Sequence, residues 1–189
     1  MTPANTFDIV DHRDPSQARR YRETFDEAYY DLADDGNINL VLRRRAPVEK
    51  GAKAELTQVI HIRSFWRSVP GQTVAERTQI NSCVSYMIVS GEAGATFEGA
   101  GSVFFEHDWY GSALSGTLDH AMLKPQRRLA TGSEVFARAE LSGNFHAERD
   151  ARQVARLVNE MNRMFGPLPA YQPPTTSESP RTSGRSSPR

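Results

Sequence analysis

Between Ile38 and His146 apolar residues recur mainly at every second position, and turn chemistry divides this stretch into six segments that read as strands. Their limits fall near 38–46, 55–67, 78–90, 94–107, 112–123 and 133–147. The last alternates most clearly, with Val135, Ala137, Ala139, Leu141, Gly143 and Phe145 on one face and Arg138, Glu140, Ser142, Asn144 and His146 on the other. In the second segment Ile60, Ile62 and Trp66 share a face, and in the third Ile80, Val84, Tyr86 and Ile88 do so. Alternation of this kind belongs to antiparallel strands, because parallel strands covered on both faces are almost continuously apolar. Ser90-Gly91-Glu92-Ala93-Gly94 reads as a hairpin turn, and Val69-Pro70-Gly71-Gln72 as a second turn.

A different period flanks these strands. Asp14-Pro15-Ser16-Gln17 has the chemistry of a helix start, and Ala18, Tyr21, Phe25, Ala28, Tyr29 and Leu32 follow at intervals of three and four. The pattern predicts an N-terminal helix stopped by Asp34-Asp35-Gly36-Asn37. At the other end Asp150 caps a predicted helix with Val154, Leu157, Val158, Met161 and Phe165 on one stripe, and Gly166-Pro167 ends it. The expected fold is α+β: an antiparallel meander of five or six strands, open or curled into a small barrel, with an N-terminal and a C-terminal helix. Residues 1–13 form a lead-in segment and 14–166 a single domain, long enough for one core. Residues 167–189, rich in Pro, Ser, Thr and Arg, read as a disordered tail.

Charge and cysteine content narrow the function. Lys plus Arg and Asp plus Glu both total 23, so no net field draws the chain onto nucleic acid or an anionic membrane. The single cysteine, Cys83, excludes an intrachain disulfide framework and a thiolate-rich zinc site. No apolar run approaches the roughly 18–20 residues that span a bilayer, and Met1–Asp11 has no export signal. The sequence as it stands reads as cytoplasmic, and as exported or lipid-anchored only with an upstream signal.

Candidate chemistry is sparse. The glycines from Gly91 to Gly101 precede a strand rather than a helix, so they suit a hairpin and a bulge better than a phosphate cradle. No G-x-S-x-G elbow occurs. Among His12, His61, His107, His120 and His146, only His146 has a carboxylate, Glu148, at the spacing that puts both on one strand face, so His146 and Glu148 are the candidate metal ligands. Cys83 sits within a strand and reads as a small packed side chain. Arg43-Arg44-Arg45, Arg127-Arg128 and the tail arginines are the material for phosphate contacts, and interspersed acids place nucleic acid last among the partners. No cofactor motif is present.

The most distinctive stretch runs from His61 through Phe65-Trp66-Arg67-Ser68-Val69-Pro70-Gly71-Gln72-Thr73 to Asn81, followed by Glu98-Gly99-Ala100-Gly101. Over residues 61–101 it resembles uncharacterised bacterial proteins of planctomycete type, in which a Trp-x-x-x-Pro-Gly-x-Thr turn joins two strands. The resemblance implies β structure, carries no activity, and implies that relatives carry an export or lipoprotein signal. His61, Trp66, Thr73, Glu76 and Asn81 are the candidate ligand-binding residues, as polar and aromatic groups around one wide turn. The expected function is a non-enzymatic binding or structural module for a protein partner or a second copy. The alternatives are a small-molecule or metal site with hydrolytic chemistry, and nucleic-acid binding through the tail.

Overall fold

The computed structural model describes residues 5–14, 17–33, 36–47, 55–65, 80–106, 112–129 and 136–166. The turn expected at Val69–Gln72 and the tail expected at 167–189 lie outside them. Among the described residues, nine strands form one mixed sheet and a single helix follows. This corrects the expected sheet of five or six antiparallel strands between two helices. The strands are β1 Asn5–Asp11, β2 Arg19–Phe25, β3 Glu27–Leu32, β4 Ile38–Pro47, β5 Glu55–Ser64, β6 Ser82–Ser90, β7 Ala93–Phe105, β8 Ala113–Leu129 and β9 Ala139–Arg149. The helix is α1, Ala151–Phe165.

The predicted N-terminal helix is instead β2 and β3. Asp26 interrupts the chain between them and shifts the phase of burial by one, so Phe25 is buried together with Ala28 and Tyr30. Two offset strand patterns thereby imitate the three-and-four spacing of a helix. The aromatics suit a pleated surface, with Phe25 and Tyr30 in the interior and Tyr29 against the cluster under α1.

From β3 to β8 each strand pairs antiparallel with the next, and β9 then pairs on both edges. One edge of β9 meets β8; the other meets β1 along Ala139–Asn144 and then β3, in parallel, at Tyr29–Glu148 and Tyr30–Arg149. The sheet therefore closes, which removes most of the open edges that invite aggregation. Asn5–Asp11, set apart in the sequence as a lead-in, is built into this wall as β1. β8 extends to Leu129, beyond the expected end near 123, because Lys124–Leu129 pairs with the start of β7 despite its charge and Pro125.

Side chains fill the interior: Phe7, Ile9, Leu40, Ile60, Phe97 and Leu141 are fully buried members of one cluster. A second cluster lies outside the wall, where Val154, Leu157, Met161 and Phe165 of α1 cover Val41, Val59 and Met87. Each helix side chain so buried contributes roughly 1.5–3 kcal/mol. This second layer explains why Leu40-Val41-Leu42, Val59-Ile60 and Tyr86-Met87 break the alternation, since both faces are dry there. Asp150 caps α1 by accepting the N–H groups of Arg152 and Gln153, each at 3.0 Å, and Gly166 at φ +76° ends it.

The triple arginine is engaged with carboxylates on both sides of the wall. Arg44 points inward to Glu23 at 2.9 Å and to Gln58 at 3.0 Å. Arg43, buried on the outside, donates through Nε to Glu27 at 3.0 Å and through Nη1 to Glu160 of α1 at 3.3 Å. Arg45 and Arg156 complete this group, at 3.6 Å from Glu160 and 3.4 Å from Glu27. Replacing Arg43 with methionine keeps the buried stem but leaves Glu27 and Glu160 without their shared cation. The expected loss is about 2 kcal/mol in urea unfolding, the size of hydrogen bonds to charged groups. An unchanged midpoint would show that the arginine does not hold α1 to the wall.

Candidate functional site

An open concavity lies on the outer wall, across β2, β1, β9, β8 and β7, with a volume of about 640 Å³. Strand register arranges its side chains in two rows. Thr6, Asn144, Thr117 and Phe104 stand opposite one another on β1, β9, β8 and β7. Arg22, Asp8 and Ser142 form the second row on β2, β1 and β9, with Asp119 of β8 continuing it. Alternation along these strands sends Phe7, Leu118 and Val103 into the core and turns the two rows outward.

A bulge in β8 between Leu118 and Ala121 bends the wall at one side of the groove. His120, at the bulge, has φ +47°, a left-handed conformation that is costly for a residue with a Cβ. Its ring is tied on both sides: Nδ1 lies 2.5 Å from Glu140 Oε1, and Nε2 lies 3.2 Å from Asp119. His12 Nε2 meets the other Glu140 oxygen at 3.0 Å. The hydrogen bond to Glu140, reinforced by the charge of Asp119, raises the His120 pKa, and the same bond lowers that of Glu140. Asp119 thus belongs both to the groove and to this histidine–carboxylate chain.

The groove's polar groups are largely unspent. Among the described residues, the side chains of Asp8, Arg22, Thr117, Ser142 and Asn144 make no hydrogen bond or ion pair. Asp8 and Arg22 stand directly opposite each other without pairing. The backbone groups of β1, β9, β8 and β7 are spent, because each of these strands is paired on both edges, whereas β2 pairs only with β1 among the described residues.

The residues singled out in the sequence are distributed differently. Trp66, Thr73 and Glu76 lie outside the described residues, as does His107. Asn81 is buried and works in the sheet: its amide donates to the Val103 carbonyl at 2.8 Å, and its Oδ1 accepts the Val103 N–H at 2.7 Å. A side chain thereby imitates one more backbone pair between β6 and β7, as Asn can through its amide geometry. His146 and Glu148 do share the outer face of β9, and His146 Nδ1 is hydrogen-bonded to Ser115 at 2.7 Å. Among the described residues, no three His, Cys, Asp or Glu side chains come together to hold a metal ion.

His61 is placed on the outer wall in a row with Val41, Ser85 and Glu98 on neighbouring strands. The residue is partly buried, and its Nε2 is shielded from solvent with no hydrogen-bond partner among the described residues. Burial, helped by the charge of Arg63, lowers its pKa to about 4. Burial also raises the Glu98 pKa, against the pull of Arg127. Inside the barrel, Tyr86 is fully buried; its hydroxyl lies near Gln58 but makes no well-formed hydrogen bond among the described residues, and burial raises its pKa. Phe136 packs over it at a ring separation of 6.4 Å and meets Phe97 and Tyr21 at 5.6 and 5.7 Å.

No protein-family model, curated protein or solved structure matches this chain. No described helix is long and apolar enough to cross a membrane.

Proposed function

We propose that the chain is a non-catalytic binding module and that the outer-wall groove is its recognition surface. One observation carries this reading: five polar side chains with unused hydrogen-bonding capacity, Asp8, Arg22, Thr117, Ser142 and Asn144, converge from four strands around a single open concavity. Binding sites combine a preformed hollow with a few placed polar groups, and the rigid closed sheet supplies both here. The filled interior argues against carriage of a bulky apolar ligand within the barrel. A protein partner is favoured less, because the large exposed apolar side chains among the described residues, Tyr21, Ile80 and Met122, lie on three different segments and are not among the groove's lining residues.

A second reading, acid–base chemistry on a small molecule at His61, has the shielded Nε2 in its favour: held neutral by burial, it is a free base beside Ser85 and Glu98. One experiment separates the two. Backbone amide shifts are recorded while a library of peptides, saccharides, nucleotides and amphiphiles is titrated in. Binding at the groove moves the amides of Asp8, Thr117, Asp119, Ser142 and Asn144. Shifts confined to His61, Ser85 and Glu98 would transfer the function to the second reading, and an unmoved groove throughout would end the first.

A further inference from the structure

We infer that the groove recognises a neutral oligosaccharide. The inference rests on the binding reading above and assigns its ligand class. It follows from which groups line the hollow and which are missing. Asp8 and Asp119 supply carboxylate acceptors, Arg22 a fork of donors, and Ser142, Thr117 and Asn144 groups that both donate and accept. A polyhydroxylated ligand, in which every hydroxyl donates once and accepts twice, matches such a mixture better than a ligand with one kind of polar group. Phe104 adds one half-buried ring at the end of the row, an apolar platform for the C–H face of a sugar ring.

The competing ligand classes lack what they need. An anion would meet two carboxylates against one arginine, so phosphate and sulfate chemistry is disfavoured. A metal ion finds no set of three converging ligands among the described residues. An extended peptide is bound by adding a strand to a free sheet edge; β1, β9, β8 and β7 are paired on both edges, and β2, paired only with β1 among the described residues, offers its open edge at the rim, where an added strand would lie beyond the rows rather than across them. An amphiphile would require a broad apolar lining, and among the described residues the hollow is lined by two large apolar residues, Phe104 and Leu118, of which Leu118 is buried in the core.

Shape agrees with an elongated ligand. Each row crosses four strands, roughly 14 Å at the usual strand spacing, and the two rows are offset by one strand and separated by two residues along each strand, roughly 7 Å. A linear chain of sugar rings lying across the strands would meet successive polar side chains strand by strand, with one ring face toward Phe104 at the end. Since Asp119 is also held by His120, a carboxylate of the hollow is oriented before any ligand arrives.

The test uses the full chain and a panel of neutral linear oligosaccharides of glucose, galactose, mannose and N-acetylglucosamine units, with a sulfated oligosaccharide and a neutral peptide as controls. At least one neutral oligosaccharide is expected to move the amides of Asp8, Ser142 and Asn144. Asn144→Ala and Asp119→Asn should each weaken it by about tenfold, the worth of one hydrogen bond to a charged or well-aligned partner. Phe104→Leu, which keeps an apolar side chain but removes the ring, should weaken it by a similar factor, while Glu92→Gln on the β6–β7 turn should not change it. All these variants must keep wild-type amide dispersion elsewhere in the spectrum. If the peptide or the sulfated oligosaccharide moves the groove amides and no neutral oligosaccharide does, the ligand class is wrong and the binding reading stands. If no probe moves them, both fall.

Discussion

Replacing Gly99 with alanine is expected to cost more than about 4 kcal/mol, enough to unfold much of the population of an ordinary domain. A Cβ at this position would lie 1.8 Å from the Met122 carbonyl oxygen and 2.7 Å from its carbon. Both are backbone atoms of β8, so no rotamer change relieves the clash. β8 would have to retreat from β7 around the Gly99–Leu123 pair, opening the ladder on either side and withdrawing Leu123 and Ala121 from the interior. Gly91→Ala is the natural comparison, because Gly91 has positive φ but open space around it. It should lose only about 1–2 kcal/mol, the strain of a left-handed alanine. Unfolding by urea, read by far-UV circular dichroism, measures both. A Gly99→Ala protein as stable as the wild type would mean that β7 and β8 are not paired in this register.

The glycine-rich stretch shows how far local pattern reaches. From sequence, Gly91 to Gly101 reads as a turn and a bulge, with glycine serving for its dihedral freedom. That holds for Gly91, which sits at φ +60° in the turn. Gly99 answers to a different demand, the close approach of a strand remote in the chain, and no local pattern announces it. Helix α1 is legible for the opposite reason: its cap at Asp150, its apolar stripe and its stop at Gly166 all lie within one continuous segment. The segment 14–33 misleads because a single residue, Asp26, can turn two strand periods into an apparent helix period.

The groove is invisible to local pattern in the same sense. Ser142 and Asn144 read as solvent-facing positions of the last strand, and Thr6, Arg22 and Thr117 carry no motif. What brings them together is register across strands that are far apart in the chain, together with the closure of the sheet through β9. Polar alternation gives the face of each strand and says nothing of its neighbours. Of the residues around the wide turn, Asn81 stands beside a turn in sequence and is used by the structure to extend a ladder. His61 draws notice in the sequence as a histidine near the wide turn, whereas the shielding of its Nε2 is a property of packing alone.

That shielding gives the second large effect, a loss of stability in acid. An unfolded histidine titrates near 6.5, and His61 in the folded chain near 4, so between those values the unfolded chain holds the extra proton. Stability from this group is therefore present above the unfolded pKa and is lost as pH falls through 6.5 toward 4. The loss is up to about 2 kcal/mol at pH 5 and about 3 kcal/mol by pH 4, at about 1.4 kcal/mol for each tenfold difference in proton affinity between the folded and unfolded chains, and less to the extent that the ring's exposed edge is hydrated. Carboxylates that are ion-paired in the fold also lose stability in acid, so the single curve cannot assign the effect. The difference between wild type and His61→Phe can, because those carboxylates are common to both. The variant replaces a nitrogen that has no partner among the described residues with an apolar edge of similar shape, which should leave stability at neutral pH nearly unchanged. Below pH 6.5 the two stability curves should part steadily in favour of the variant, and the His61 ring should titrate near 4 by NMR in the folded protein. Parallel curves over that range, or a ring titrating near 6.5, would mean that water or a bound proton donor reaches Nε2. Either result would remove the burial on which the second reading of this protein's function rests.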